Sequence, residues 1–255
     1  MMQSKVILRR LLCGAILLAP CPAQPVTATG ISVIAGRPTA TSATLSVLAA
    51  KDCEAFVEHG DGPAKTGAKS TTANLKAGVP LNFELDHLAP NTAYSYRLMT
   101  SDAGGSGYAT AAAGSFHTQR APGKTFVFGV QGDSHPERAG KMFDPALYRV
   151  TMSNVAVEKP DFYFAMGDDF SIERLIEQKD FSAATVGAVY ARQRDFLAIP
   201  CASSALYLVN GNHEQAARCN LDGSANNCAV LAAHARNQYF PLPAPGPFYS
   251  GDGER

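Results

Sequence analysis

Three short polar strings hold the residues able to do chemistry: Gly132-Asp133-Ser134-His135, Gly167-Asp168-Asp169 and Asn210-Gly211-Asn212-His213-Glu214. Between them they offer carboxylates, imidazoles and a carboxamide, a mixed oxygen and nitrogen donor set that suits borderline-hard cations such as iron, manganese or zinc. Each string alone says little, because Gly-Asp pairs commonly make turns. Their order and surroundings say more. Each follows an apolar run that reads as a buried strand, Phe126 to Val130, Phe162 to Met166 and Ala205 to Val209. In α/β sheets, ligands bind beyond the carboxyl ends of the strands. If the three strands are parallel neighbours, Asp133, His135, Asp168, Asn212 and His213 converge on one rim.

The elements that must position these groups are legible as strand, helix, strand units. Val186, Val189, Tyr190, Phe196 and Leu197 fall at helical spacing between the second and third runs. Upstream the grammar differs. Residues 26 to 119 are rich in Thr, Ser, Ala and Gly, with short alternating runs: Leu45, Val47 and Ala49 on one face, Thr44, Ser46 and Leu48 on the other. Tyr94, Tyr96 and Leu98 alternate likewise, and turn-rich clusters separate the runs, as in an all-β sandwich. Gln119 to Gly123 reads as a linker to an α/β domain over 125 to 255. His59, His87 and His117 lack ligand spacing and are read as surface or packing residues.

Composition sets the wider limits. With 46% hydrophobic and 17% charged residues in 255, a folded core is expected rather than disorder. The 22 basic and 22 acidic residues cancel, so no field steers the chain onto nucleic acid, and a nucleic-acid carrier role is not expected. Residues 1 to 23 read as a cleavable secretory signal: Lys5, Arg9 and Arg10, an apolar run Leu11 to Ala19, then small residues. Nine apolar residues are too few to span a bilayer, so no transmembrane anchor is expected and the destination is secreted or periplasmic. Cys21 is a conceivable lipid-attachment cysteine, but Pro20 stands where such sites carry Gly, Ala or Ser. Removing three basic residues leaves 19 against 22 acidic, a net charge of −3. Cys219 and Cys228 flank a turn-rich stretch and are the preferred disulfide in an oxidising compartment.

The ordered set Asp-x-His, Gly-Asp, Gly-Asn-His-Glu resembles the calcineurin-like metallophosphoesterase superfamily, whose catalytic domain is an αββα sandwich. Leu88 to Tyr96 resembles the tyrosine corner of fibronectin type III domains. The combination is similar to the purple acid phosphatase and alkaline phosphatase D type. The resemblance implies two divalent or trivalent metal ions (Fe, Mn or Zn). It places Asp133 and His135 on one metal, Asp168 between both, Asn212 on the second, and His213 outside the metal shell near the phosphate. Such a pair acidifies a bound water and neutralises phosphoryl oxygens, so the substrate implied is a small-molecule or polymeric phosphate ester.

The sequence departs from the pattern in two ways. Ser171 stands where purple acid phosphatases carry a metal-binding tyrosine. The later His and Gly-His-x-His ligands are not found, and His234, in a helical context, is read as structural or solvent-facing. The chain is therefore read as holding about the first half of the catalytic domain. Two rival readings are a GDSL-type serine esterase using Ser134 as nucleophile, for which no Asp-x-x-His exists, and a catalytically silent secreted binding protein. Asp169, Glu137 and Glu214 are read as exposed or capping acidic residues rather than groups that orient the ligands.

Overall fold

The computed structural model describes residues 30–62, 67–102, 107–214 and 223–251. The signal segment with Cys21, and Cys219 of the expected disulfide, lie outside the described residues. Cys228 is disulfide-bonded, and Cys53 and Cys201 are free.

Eight antiparallel strands come first: β1 (Ile31–Gly36), β2 (Ala43–Ala49), β3 (Cys53–Asp61), β4 (Ala68–Lys69), β5 (Ala73–Leu75), β6 (Leu81–Leu85), β7 (Ala93–Asp102) and β8 (Ala109–His117). They form two sheets, ordered β1-β2-β6 and β4-β3-β7-β8, with β5 also pairing β3. Val33, Leu45, Val47, Phe83, Val57, Leu98 and Phe116 fill the space between the sheets. This is a β-sandwich. The corner expected near Tyr94 is present: the Ala89 N–H donates to Tyr94 Oη at 2.7 Å, across a turn in which Asn91 adopts φ 51°. The Tyr94 ring stacks on Phe116 with centroids 5.4 Å apart.

The α/β part follows: β9 (Phe128–Gln131), a 3-10 turn (Pro136–Arg138), α1 (Pro145–Glu158), β10 (Phe162–Ala165), α2 (Glu173–Glu177), α3 (Ala183–Cys201), β11 (Ala205–Leu208) and α4 (Cys228–Tyr239). The strands pair in parallel in the order β11-β10-β9, with Gln131, Ala165 and Leu208 level at their carboxyl ends. Local chemistry starts the three longer helices. The Asp144 carboxylate caps α1 ahead of Pro145, Ser182 and Thr185 form a capping box on α3, and Asn227 caps α4. Val186, Tyr190, Phe196 and Leu197 of α3 are buried as their spacing required, against Tyr163, Ala165, Leu206 and Leu208 of the sheet.

One expectation about strand faces needs correction. The apolar runs read as buried strands, yet among the described residues the far face of the parallel sheet is open: Phe128 is 52% and Val130 55% exposed, beside exposed Phe126, Met166 and Val209. The described helices cover the other face. Ser32, Thr44 and Ser46, on the face of β1 and β2 opposite the sandwich core, are buried. That face packs on the α/β part, and Ile34 joins its core.

Arg194 of α3 fills this seam with no exposed surface. Its Nε donates to Ser32 Oγ at 2.9 Å, Nη2 to the Ser46 carbonyl at 2.7 Å, and Nη1 to Ser46 Oγ and the Tyr239 carbonyl. Burial pushes the guanidinium pKa down to about 9, still above neutrality, so it is charged at pH 7. Arg194→Leu strands two carbonyls in a dry seam and should lower stability by about 2–4 kcal/mol in urea unfolding. Arg194→Lys, a single ammonium without the planar fork, should recover less than half of that loss.

Candidate metal centre

Because β9, β10 and β11 end level, the three loops that follow them meet. The Asp133 N–H donates to the Gly167 carbonyl and the His135 N–H to the Asp168 carbonyl, both at 3.1 Å, and the His213 N–H donates to Asp168 Oδ1 at 3.2 Å. Asp133, His135 and Asp168 all adopt positive φ, 55°, 45° and 61°. Asp, Asn and His tolerate this region better than other side-chain-bearing residues, yet each such turn carries strain that its surroundings must hold. Gly167, at φ 104°, and Gly211 let the second and third loops touch backbone to backbone. A Cβ at Gly211 would collide with Asp168 Oδ1 and the Asp168 nitrogen.

His135 Nε2 lies 3.7 Å from Asp133 Oδ1 and 3.7 Å from Asp168 Oδ2. Two donors about 2.1 Å from a common tetrahedral ion stand roughly 3.4 Å apart, so the Asp133, His135 and Asp168 set fits one cation with little movement. His213 Nε2 is 4.0 Å from Asp168 Oδ2, and its ring meets that of His135 edge to face at 4.8 Å. Asn212 is exposed on the same loop, between Gly211 and His213. His135, Glu137 and His213 form a second group with metal-ligating spacing.

Of the supporting carboxylates, Glu137, Asp169 and Glu214 read in the sequence as exposed or capping, and Glu173 is not singled out there. Glu137 Oε1 lies 2.8 Å from His135 Nδ1, which favours the tautomer with Nε2 free to ligate. Glu173 Oε2 stands 3.3 Å from His213 Nδ1, an ion-pair distance without hydrogen-bond alignment. Glu214, read as exposed or capping, is buried and accepts four backbone N–H bonds. Asp169, read the same way, has no exposed surface and accepts from Ser134 Oγ at 2.5 Å and Gln131 Nε2 at 2.8 Å. Adjacency to the motif residues was the one available signal for Glu137, Asp169 and Glu214, and among the described residues the hydrogen-bond partners of Glu214 are all backbone groups.

Ser134 Oγ also accepts from Gln193 Nε2 at 3.1 Å, so the hydroxyl is tied to a carboxylate and an amide, not to an imidazole. The serine esterase reading has no support. Ser171 is buried and accepts from the Glu173 N–H, and His234 is exposed on α4. Among the described residues, no helix is long and apolar enough to cross a membrane.

An α/β unit with ligand-type side chains gathered beyond parallel strands, joined to a β-sandwich, is the class that fold and site define. No family model matches the sequence, and no curated protein does. Solved structures do match in fold. PhoD aligns with a TM-score of 0.57 and 18% identity, over 86% of this chain and 47% of that one. The purple acid phosphatase PPD1 from yellow lupin (Lupinus luteus) seeds aligns with a TM-score of 0.58 and 16% identity, over 87% and 42%. The chain thus has their fold over the part it covers, and it spans less than half the length of either.

Burial pushes the Asp169 carboxyl up to about 7, opposed by the Ser134 hydrogen bond and reinforced by the charges of Glu214 and Asp168. Its folded pKa exceeds the ordinary 3.8, so in the metal-free chain this group's stabilisation is full below pH 3.8 and lost as pH rises through about 7. Asp169→Asn should flatten that fall in unfolding measurements across the window. Gly211→Ala, by displacing Asp168, should cost about 1–3 kcal/mol in the metal-free chain, read as a lower thermal midpoint.

Proposed function

We propose that the protein is a secreted metal-dependent phosphoesterase that hydrolyses phosphate esters at a binuclear site. The observation carrying this reading is the meeting of Asp133, His135 and Asp168 within 4.8 Å at the carboxyl end of a parallel sheet. The likeness in fold to PhoD and to purple acid phosphatase supports it. Asp133 and His135 would hold one cation, with Asp168 and Asn212 available to a second. Cations there would supply Lewis acidity, making water nucleophilic and neutralising the phosphoryl oxygens.

The chain's own residues do the rest. Glu137 keeps a proton on His135 Nδ1, so Nε2 presents a lone pair to the site. Asp168 would supply negative charge to offset the repulsion between cations held there. His213, with Nδ1 3.3 Å from Glu173 Oε2, is the residue that would hand a proton from Nε2 to the departing oxygen. The first domain, over residues 26 to 119, is a fibronectin type III-like sandwich, a reading supported by the tyrosine corner. The catalytic domain, from residue 125, is read as part of an αββα sandwich, the parallel sheet bearing Phe128, Val130 and Met166 on its open face. Parallel sheets are ordinarily covered on both faces.

The test is hydrolysis of p-nitrophenyl phosphate and bis(p-nitrophenyl) phosphate by the full-length protein, with metal content measured alongside. Chelation should abolish turnover and manganese, zinc or iron restore it. Asp168→Ala should lower kcat/KM by about 10²- to 10³-fold or more. Chelator-resistant hydrolysis, or inactivation by a serine-directed phosphonate, would overturn the reading.

A further inference from the structure

We infer that Glu214 is the positioning residue of the centre: its carboxylate clasps the loops after β10 and β11 and thereby sets where Asp168 points. Its Oε1 accepts the Asp169 N–H at 2.5 Å and the Phe170 N–H at 3.0 Å. Its Oε2 accepts the Asp168 and Gly211 N–H groups, each at 2.8 Å. A carboxylate has about four lone-pair sites, and here backbone donors take all four, so Glu214 is not itself a ligand. Successive N–H groups turned toward one anion form a nest, a conformation that an anion holds and that opens without one.

The nest contains the left-handed Asp168, and its consequences pass outward. The Asp168 carbonyl accepts from the His135 N–H, and the Gly167 carbonyl from the Asp133 N–H. One buried carboxylate on the third loop therefore fixes the second loop, and the second fixes the first. An amide in its place puts an NH₂ group against two backbone donors, which frees either Asp168 and Gly211 or Asp169 and Phe170. A shorter Asp retains the charge but cannot span both loops.

This inference rests on the metal reading above, and its test separates the two. Manganese titration of the metal-free chain by calorimetry, with hydrogen exchange of single amides, should show Glu214→Gln binding manganese about 10- to 100-fold more weakly. The amides of Asp168, Asp169, Phe170 and Gly211 should exchange faster together, while those of β3 and β7 are unchanged. Glu214→Asp should fall between Glu214→Gln and wild type. Wild-type manganese affinity in Glu214→Gln, even with a lowered thermal midpoint, would reduce the residue to a structural one and overturn the inference. Where neither variant folds, exchange in the wild-type chain decides: four jointly protected amides support the clasp, and unprotected ones overturn it. Absence of manganese binding by wild type would sink the metal reading, while the clasp stands or falls on amide exchange alone.

Discussion

The level ending of three parallel strands is the constraint from which the site follows. Gln131, Ala165 and Leu208 share a rung of the ladder, so the chain must turn at one height three times. Parallel hydrogen bonding fixes that height, because a one-residue slip would carry Tyr163, Ala165, Leu206 and Leu208 from the helix-covered face to the open one. The loops can then bond to each other through their backbones rather than wander separately. Side chains at positive φ point back over the strand ends. Asp and His tolerate that conformation and also ligate metals, so the same residue types meet the backbone and the chemical requirement.

The same crowding creates an electrostatic problem. Asp168, Asp169 and Glu214 are buried within one small volume, with Asp133 at its edge. The fold answers with different devices for each. Glu214 takes backbone N–H donors, Asp169 takes a hydroxyl and an amide and holds its proton up to about pH 7, and Asp168 and Asp133 keep oxygens facing the imidazoles. A cation between those two carboxylates would lower the repulsion that remains, which is why the arrangement reads as a centre awaiting positive charge.

Much of this was legible beforehand. The three strings announced their own convergence because each followed an apolar run. Tyr94 announced the corner, because Leu88 to Tyr96 resembles the corner of fibronectin type III domains. What escaped was set by partners distant in sequence. Thr44 and Ser46 look like a wet strand face until α3, about 150 residues away, lies across them. Phe128 and Val130 look like core, since a hydrophobic run does not say which of its faces has a covering layer. Glu214 looks like an ordinary surface acid because backbone N–H groups leave no mark in a sequence, and Asp169 because its partners Gln131 and Ser134 lie more than thirty residues away.

The seam held by Arg194 bears on how such chains can be assembled from modules. A guanidinium hydrogen-bonded to hydroxyls and carbonyls, and to no carboxylate, depends on two small serines on the neighbouring strands β1 and β2 and on the end of α4. Exchanging the sandwich for a relative joined at the same linker, but with larger side chains at those serines, would evict the guanidinium or bury it unsolvated. The leading sandwich and the α/β part are thereby matched to each other at this seam and not freely interchangeable.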